Sequence, residues 1–88
     1  MITETYLNHP TFGLLYSICS LDKDRALYTT LYAQRLFFLV TQNNEGIKFE
    51  PITRNEARIF AESSLRTLRR EGSQADYDRL QAIHRHTF

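Results

Sequence analysis

The period of hydrophobic and polar positions changes once along this chain. Up to residue 53 the apolar residues fall in short runs that alternate or nearly alternate, the spacing of strands. From residue 54 they recur every three or four positions, the spacing of helices. The densest run is Leu27 to Thr41, LYTTLYAQRLFFLVT. Its Tyr, Thr, Phe and Val residues suit a pleated surface, and it predicts two strands broken at Ala33-Gln34, the second running from Arg35 to Val40. Alternation puts Arg35, Phe37 and Leu39 on one side of that second strand and Leu36, Phe38 and Val40 on the other. Both sides are apolar, whereas a one-sided sheet shows a polar outer face. The second face is therefore covered by another part of this chain or by a partner.

The segments around this run are also short and extended. Residues 1–10 predict a strand or arm entering a turn at Asn8-His9-Pro10, because the residue before a proline is pushed toward extended geometry. Thr11 to Leu21 predicts a strand with Phe12, Leu14, Tyr16 and Ile18 on one face and Gly13, Leu15, Ser17 and Cys19 on the other, and Gly13 permits a bend or bulge. Asp22-Lys23-Asp24-Arg25 is a charged turn, in which aspartate serves turn formation better than metal binding. Gln42 to Gly46 marks a hairpin loop, and Ile47 to Ile52 follows with Ile47 and Phe49 inward, Lys48 and Glu50 outward. Five such segments predict a small SH3-like or Tudor-like β-barrel over residues 1–53.

Thr53 followed by Glu56 is a capping box, so a helix starts at Arg54. Ala57, Phe60, Ala61, Ser64, Leu65 and Leu68 form its apolar stripe, and Gly72 ends it. Ser73 with Asp76 offers a second N-cap, and Tyr77, Leu80, Ile83, His84 and Thr87 form a narrower stripe. The turn at Glu71-Gly72-Ser73 is short enough to make the helices antiparallel neighbours. The class is thus α+β, a barrel with a two-helix hairpin over residues 54–88. Because two narrow stripes that bury each other leave little to cover a barrel, the hairpin is expected to be a semi-independent appendage.

Composition narrows the function classes. With 42% hydrophobic and 24% charged residues among 88, the chain has the make-up of one ordinary globular unit. The single Cys19 cannot form an internal disulfide; its apolar surroundings predict a buried, inert thiol, and one unpaired cysteine fits a reducing, cytoplasmic setting. No long apolar run or signal-like segment suggests a membrane. The formal net charge of +1 does not point to nucleic acid. Residues 1–53 hold four Lys/Arg and five Asp/Glu, net −1; residues 54–88 hold seven Arg and five Asp/Glu, net +2. All the cations of the second part are arginine, the better partner for carboxylates in fixed geometry.

Catalytic constellations are missing. The serines lie outside any nucleophile-elbow pattern, and the three histidines have no sequence partners for catalysis. His84 and His86, two apart on a helix at about 100° per residue, point roughly 200° apart and cannot chelate one ion; both suit the C-terminal end of a helix dipole. No phosphate loop or CxxC is present, so no cofactor or metal is expected and the chain does not read as an enzyme.

The wording of the chain is itself informative. Tyr6-Leu7-Asn8-His9-Pro10-Thr11-Phe12-Gly13-Leu14-Leu15-Tyr16, Leu31 to Val40, Phe49-Glu50-Pro51-Ile52 and Arg54-Asn55-Glu56-Ala57-Arg58 closely resemble the cyanobacterial PII-interacting protein X (PipX) family, across essentially the whole chain. The differences fall in Asp22 to Tyr28, Thr41 to Ile47 and the helix surfaces. The resemblance implies a Tudor-like barrel followed by two helices. It also implies a small non-enzymatic adaptor that binds either the trimeric PII signalling protein, which sequesters it, or NtcA, a dimeric transcription factor of the CRP family, as co-activator when 2-oxoglutarate is abundant. Metabolite and nucleotides bind the partners, DNA is contacted only through NtcA, and the two partners compete for the barrel.

Joined to that resemblance, the second apolar face becomes the expected docking surface: Tyr6, Tyr32, Leu36 and Phe38, with Phe12, and with Gln34 and Arg35 as polar anchors. Phe37, Leu39, Leu14, Ile18 and Phe49 are expected in the core. Core and contact roles stay open for Phe12 and Phe38, since a strongly bent barrel shifts parity easily. The rival readings are a nucleic-acid-binding small barrel, with aromatics and Arg35 stacking bases, against which stands the net −1 of the barrel half, and self-association through the apolar face.

Overall fold

Each alternating segment becomes a strand of one antiparallel meander, in the order β1-β2-β3-β4-β5. The computed structural model describes residues 6–30 and 36–88. The strands are β1 (Tyr6–His9), β2 (Gly13–Ser20), β3 (Arg25–Thr30), β4 (Phe37–Asn43) and β5 (Gly46–Ile52), followed by helices α1 (Arg54–Glu71) and α2 (Gln74–Thr87). The break at Ala33-Gln34, with Tyr32, Gln34 and Arg35, lies outside the described residues. The turns are built as their residues suggest. Asp22 Oδ1 accepts the N–H groups of Asp24 and Arg25, both at 2.9 Å, and Oδ2 accepts from Arg25 Nε at 2.7 Å, so this carboxylate is occupied by the turn. In the β4–β5 hairpin, Asn43 Oδ1 accepts from Glu45 N at 2.8 Å and Gly46 takes a φ of +124°, a region that favours glycine.

The sheet is strongly curled. Flat, β1 and β5 would stand four strand spacings apart, about 19 Å at ~4.8 Å each. Instead the ring of His9 on β1 lies 5.1 Å from that of Phe38 on β4 and 4.7 Å from that of Phe49 on β5. The curl makes a half-barrel whose concave side is filled by Leu15, Ala26, Tyr28, Phe38 and Val40, flanked by Leu7, Leu36 and Phe49. The bulge of the sheet sits at Ile18: Ser17 faces Tyr28 and Cys19 faces Leu27, so one residue of β2 is extra. Both Ile18 and Cys19 consequently join the cluster on the convex side. Gly13, at φ +77°, instead closes the β1–β2 turn.

The convex side is covered by the helices. Ala57, Ala61 and Leu80 share one buried cluster with Ile18, Cys19, Leu27 and Phe37, with Phe60, Leu65, Leu68 and Ile83 packed around it. Alanines at 57 and 61 let α1 approach the sheet closely. The stripes pack on the sheet as well as on each other, so the hairpin covers more of the sheet than its narrow stripes suggested. Two contacts add to this, Arg54 Nη2 donating to Thr87 O at 3.0 Å within the hairpin and Arg79 Nη2 to Ser17 O at 3.4 Å between α2 and β2. The capping box is complete, with Thr53 Oγ1 accepting from Glu56 N at 3.1 Å and Glu56 Oε1 from Thr53 N at 2.9 Å. Gly72 ends α1, though at an extended φ of −95°; a Cβ there would meet the Leu68 side chain and lie 3.0 Å from Leu68 Cα, so a larger residue would need Leu68 to shift. Ser73 caps α2, accepting from Asp76 N at 3.1 Å.

Candidate docking site

Strand β4 explains why both of its faces are apolar. Phe37 and Leu39 face the helices, while Phe38 and Val40 face the concave interior, so this chain covers both sides. Of the two roles left open for Phe38, the fold favours the core: it is 2% exposed, wrapped by the curl of the sheet. Leu36 shares its face and is half-buried against the same cluster, with its backbone held by Thr30: Leu36 N donates to Thr30 Oγ1 at 3.0 Å and Leu36 O accepts from Thr30 N at 3.0 Å.

Phe12 lies on this concave side too. Its ring centroid is 5.6 Å from Phe38 and 5.0 Å from His9, yet the residue is 48% exposed. It is a large apolar side chain with one face on the core and the other open, the anatomy of an interface anchor. Phe12, Leu36 and Phe38 are thus brought together, Phe12 and Leu36 at the surface and Phe38 beneath.

Tyr6 is not part of this group. It pairs with Tyr16 across β1 and β2, ring centroids 5.6 Å apart, and Tyr16 belongs to the helix side, where Arg79 Cζ stands 6.0 Å from its ring centroid. At 50% exposure Tyr6 is accessible, but from the opposite face of the sheet. The period of two separates Tyr6 from Leu7 and His9, whose side chains go to the concave side. Tyr32, Gln34 and Arg35 join Thr30 to Leu36 in sequence and lie outside the described residues. Of the expected core, Phe37, Leu39 and Ile18 are buried, and Leu14 and Phe49 half-buried; Ile47, expected inward, is 45% exposed near the hairpin tip.

The residue that sequence reasoning missed is His9. Its Nδ1 accepts the N–H of Thr11 at 3.0 Å and of Phe12 at 3.2 Å, and its ring touches Phe12, Phe38 and Phe49. Its place before Pro10 at the end of a strand, on the parity of Leu7, was the available signal. His84 also has partners, Glu62 Oε2 at 3.3 Å from Nε2 across the hairpin and the Phe88 ring at 5.4 Å, so its contacts are interhelical.

On the convex side a cleft of about 560 Å³ between β2 and the hairpin is lined by Cys19, Ser64, Arg79 and Leu80 among others. Cys19 Sγ donates to Ser64 Oγ at 3.6 Å, and burial pushes the thiol up to about 11, against the lowering effect of that hydrogen bond. The thiol is therefore protonated near neutrality and a poor nucleophile. Among the described residues no three His, Cys, Asp or Glu side chains gather to hold a metal ion, and no helix is long and apolar enough to cross a membrane.

The family model described as PipX, PII-interacting protein X, matches residues 3–88. This chain belongs to the PipX family. No individual protein of curated description matches it. The matched residues span both the half-barrel and the hairpin, and every side chain of the concave group falls within them.

Proposed function

We propose that this chain is a non-enzymatic, cytoplasmic adaptor of cyanobacterial nitrogen and carbon-balance signalling. Its barrel, residues 1–53, docks either trimeric PII, which sequesters it, or dimeric NtcA, for which it is a transcriptional co-activator when 2-oxoglutarate is abundant. The observation that carries the reading is the family match over residues 3–88, whose description names PII as the partner. Support for the barrel as the docking part comes from Phe12 and Leu36, which hold apolar surface open to solvent over a packed floor. Tyr32, Gln34 and Arg35 extend that surface in sequence, with Tyr6 a contact from the other face. Effectors act on the partners, and DNA is reached only through NtcA. The test is titration calorimetry of the purified chain with PII and ATP, without and then with 2-oxoglutarate, followed by NtcA as competitor. Binding that 2-oxoglutarate weakens, and that NtcA displaces, is expected. No binding to PII, or binding indifferent to both additions, would sink the reading.

A further inference from the structure

The turn that carries Phe12 has an unusual acceptor. Residues Pro10, Thr11 and Phe12 link His9 to its pairing partner Gly13. The N–H groups of Thr11 and Phe12 both donate to His9 Nδ1, at 3.0 Å and 3.2 Å. A ring nitrogen that accepts two N–H groups carries no proton, which places the imidazole proton on Nε2. The same ring sits against Phe12, Phe38 and Phe49, with centroids 5.0, 5.1 and 4.7 Å away. His9 therefore ties the turn to the core floor twice, once through its nitrogen and once through its faces. Phe12 has one side on His9 and Phe38 and the other in solvent.

We infer that His9 is a positioning residue of the docking surface: it fixes the β1–β2 turn so that the open face of Phe12 is presented before the partner arrives. The inference rests on the proposed docking of PII through the barrel. A surface turn without such a tie would be ordered only on binding, and that ordering weakens association. The imidazole suits the task because Nδ1 stands two bonds from Cβ, within reach of N–H groups two and three residues on, as an Asn or Asp oxygen does in an Asx turn.

That likeness supplies the test. His9→Asn places Oδ1 where Nδ1 was and keeps the acceptor; His9→Gln is nearer in length to the imidazole but carries its amide at the Nε2 position and loses the acceptor. In the free protein, amide exchange at Thr11 and Phe12 should be slow in the wild type and in H9N and about tenfold faster in H9Q, the consequence of losing hydrogen bonds at each amide. Affinity for PII, by calorimetry at one pH, should fall about tenfold in H9Q and by clearly less in H9N, which loses the ring contacts but keeps the acceptor. The double variant H9Q/F12A should bind no more weakly than F12A alone, because His9 acts through Phe12. Thermal unfolding of each variant checks that the fold survives.

Equal exchange at Thr11 and Phe12 in H9Q and wild type would overturn the inference, as would H9N binding as weakly as H9Q. So would fully additive losses in the double variant. Faster exchange in H9Q with PII affinity unchanged in both H9Q and F12A would remove the turn from the docking surface and overturn it while leaving PII binding intact. Failure of the wild-type chain to bind PII would instead overturn the proposed function, and the exchange comparison would still decide what His9 does to the turn.

Discussion

Leu80→Ala tests whether the hairpin and the half-barrel are one cooperative structure. Leu80 lies on α2 and is 1% exposed, in one cluster with Ile18, Cys19, Leu27 and Phe37 of the sheet and Ala57 and Ala61 of α1. Fully burying such a side chain is worth about 1.5–3 kcal/mol, and the cavity left by truncation raises the usual cost to about 2–5 kcal/mol. Leu80 also lines the open cleft of about 560 Å³, so water and neighbouring side chains can enter the vacated space. A loss in the lower part of the range, about 2–3 kcal/mol, is therefore expected. A domain of this size holds roughly 4–13 kcal/mol in all, and its Tm falls by about 4–8 °C per kcal/mol, or about 10–20 °C here. Urea and thermal unfolding followed by far-UV circular dichroism should show one transition, shifted as a whole. Amide exchange in β2 and β3 should speed up by the same free energy as in the helices. Two separated transitions, or strand amides untouched while helical amides exchange freely, would refute the shared core.

Leu36→Ala should cost the fold less than a fully buried leucine would, under about 2 kcal/mol, because the residue is only half-buried, while weakening PII binding measurably by calorimetry; a large drop in Tm with affinity unchanged would assign it to the core alone. Tyr32→Ala should weaken binding to PII or NtcA by on the order of 2 kcal/mol, the scale of an interface centre, and unaltered affinity for both would remove it from the surface. The Asp22 carboxyl is held below its ordinary range, first by the Arg25 guanidinium and then by the Asp24 N–H. Because its folded value lies below the unfolded one, its stabilising effect is complete above the ordinary carboxylate range and is lost as pH falls through the lowered value. Asp22→Asn should therefore reduce stability near neutrality and flatten the acid limb below about pH 4; an acid limb of unchanged slope would contradict this.

Much of the fold was legible because local rules act alone where chain segments meet water. The capping box at Thr53 and Glu56, the cap at Ser73, the Asp22 turn and the five strands are such cases. The two-sidedness of β4 was legible as well, but not what covers each face. Narrow stripes suggested weak helix packing, whereas the small residues Ala57 and Ala61 are buried in the same cluster as the sheet residues Ile18, Leu27 and Phe37. Parity failed where the bulge at Ile18 moved Cys19 to the helix side; on β4 it held, and what the alternation did not show was that the curl carries β1 over β4 and β5 and closes Phe38 in. Tyr6 was expected beside the Leu36 and Phe38 face, although its pairing with Tyr16 commits it to the other face. The core assignment of Ile47 failed for a simpler reason, its position beside the hairpin tip, where alternation continues after the cover has ended.

These placements constrain how a partner could dock. A strand whose two faces are both used internally has no broad apolar face left to offer, so docking surface has to come from rims and turns. Rims are made of few residues, and each of them is anchored differently. Leu36 is held through its own backbone by Thr30, whereas Phe12 is held through the side chain of His9, a residue three positions away. Leu36 keeps one backbone–backbone bond whatever stands at position 30, while the Phe12 turn depends on the chemistry of the His9 side chain. Losses at the turn should therefore reach binding with little effect on the fold, and losses beneath it, at Phe38, should reach both. Phe38 contacts His9 and Phe12 while filling the concave interior, so it couples core packing to surface presentation. A small barrel of this kind cannot be restyled for a new partner from the inside. On the proposed docking, recognition can change only at exposed segments such as the turn between β1 and β2, which can vary without disturbing the packed sheet.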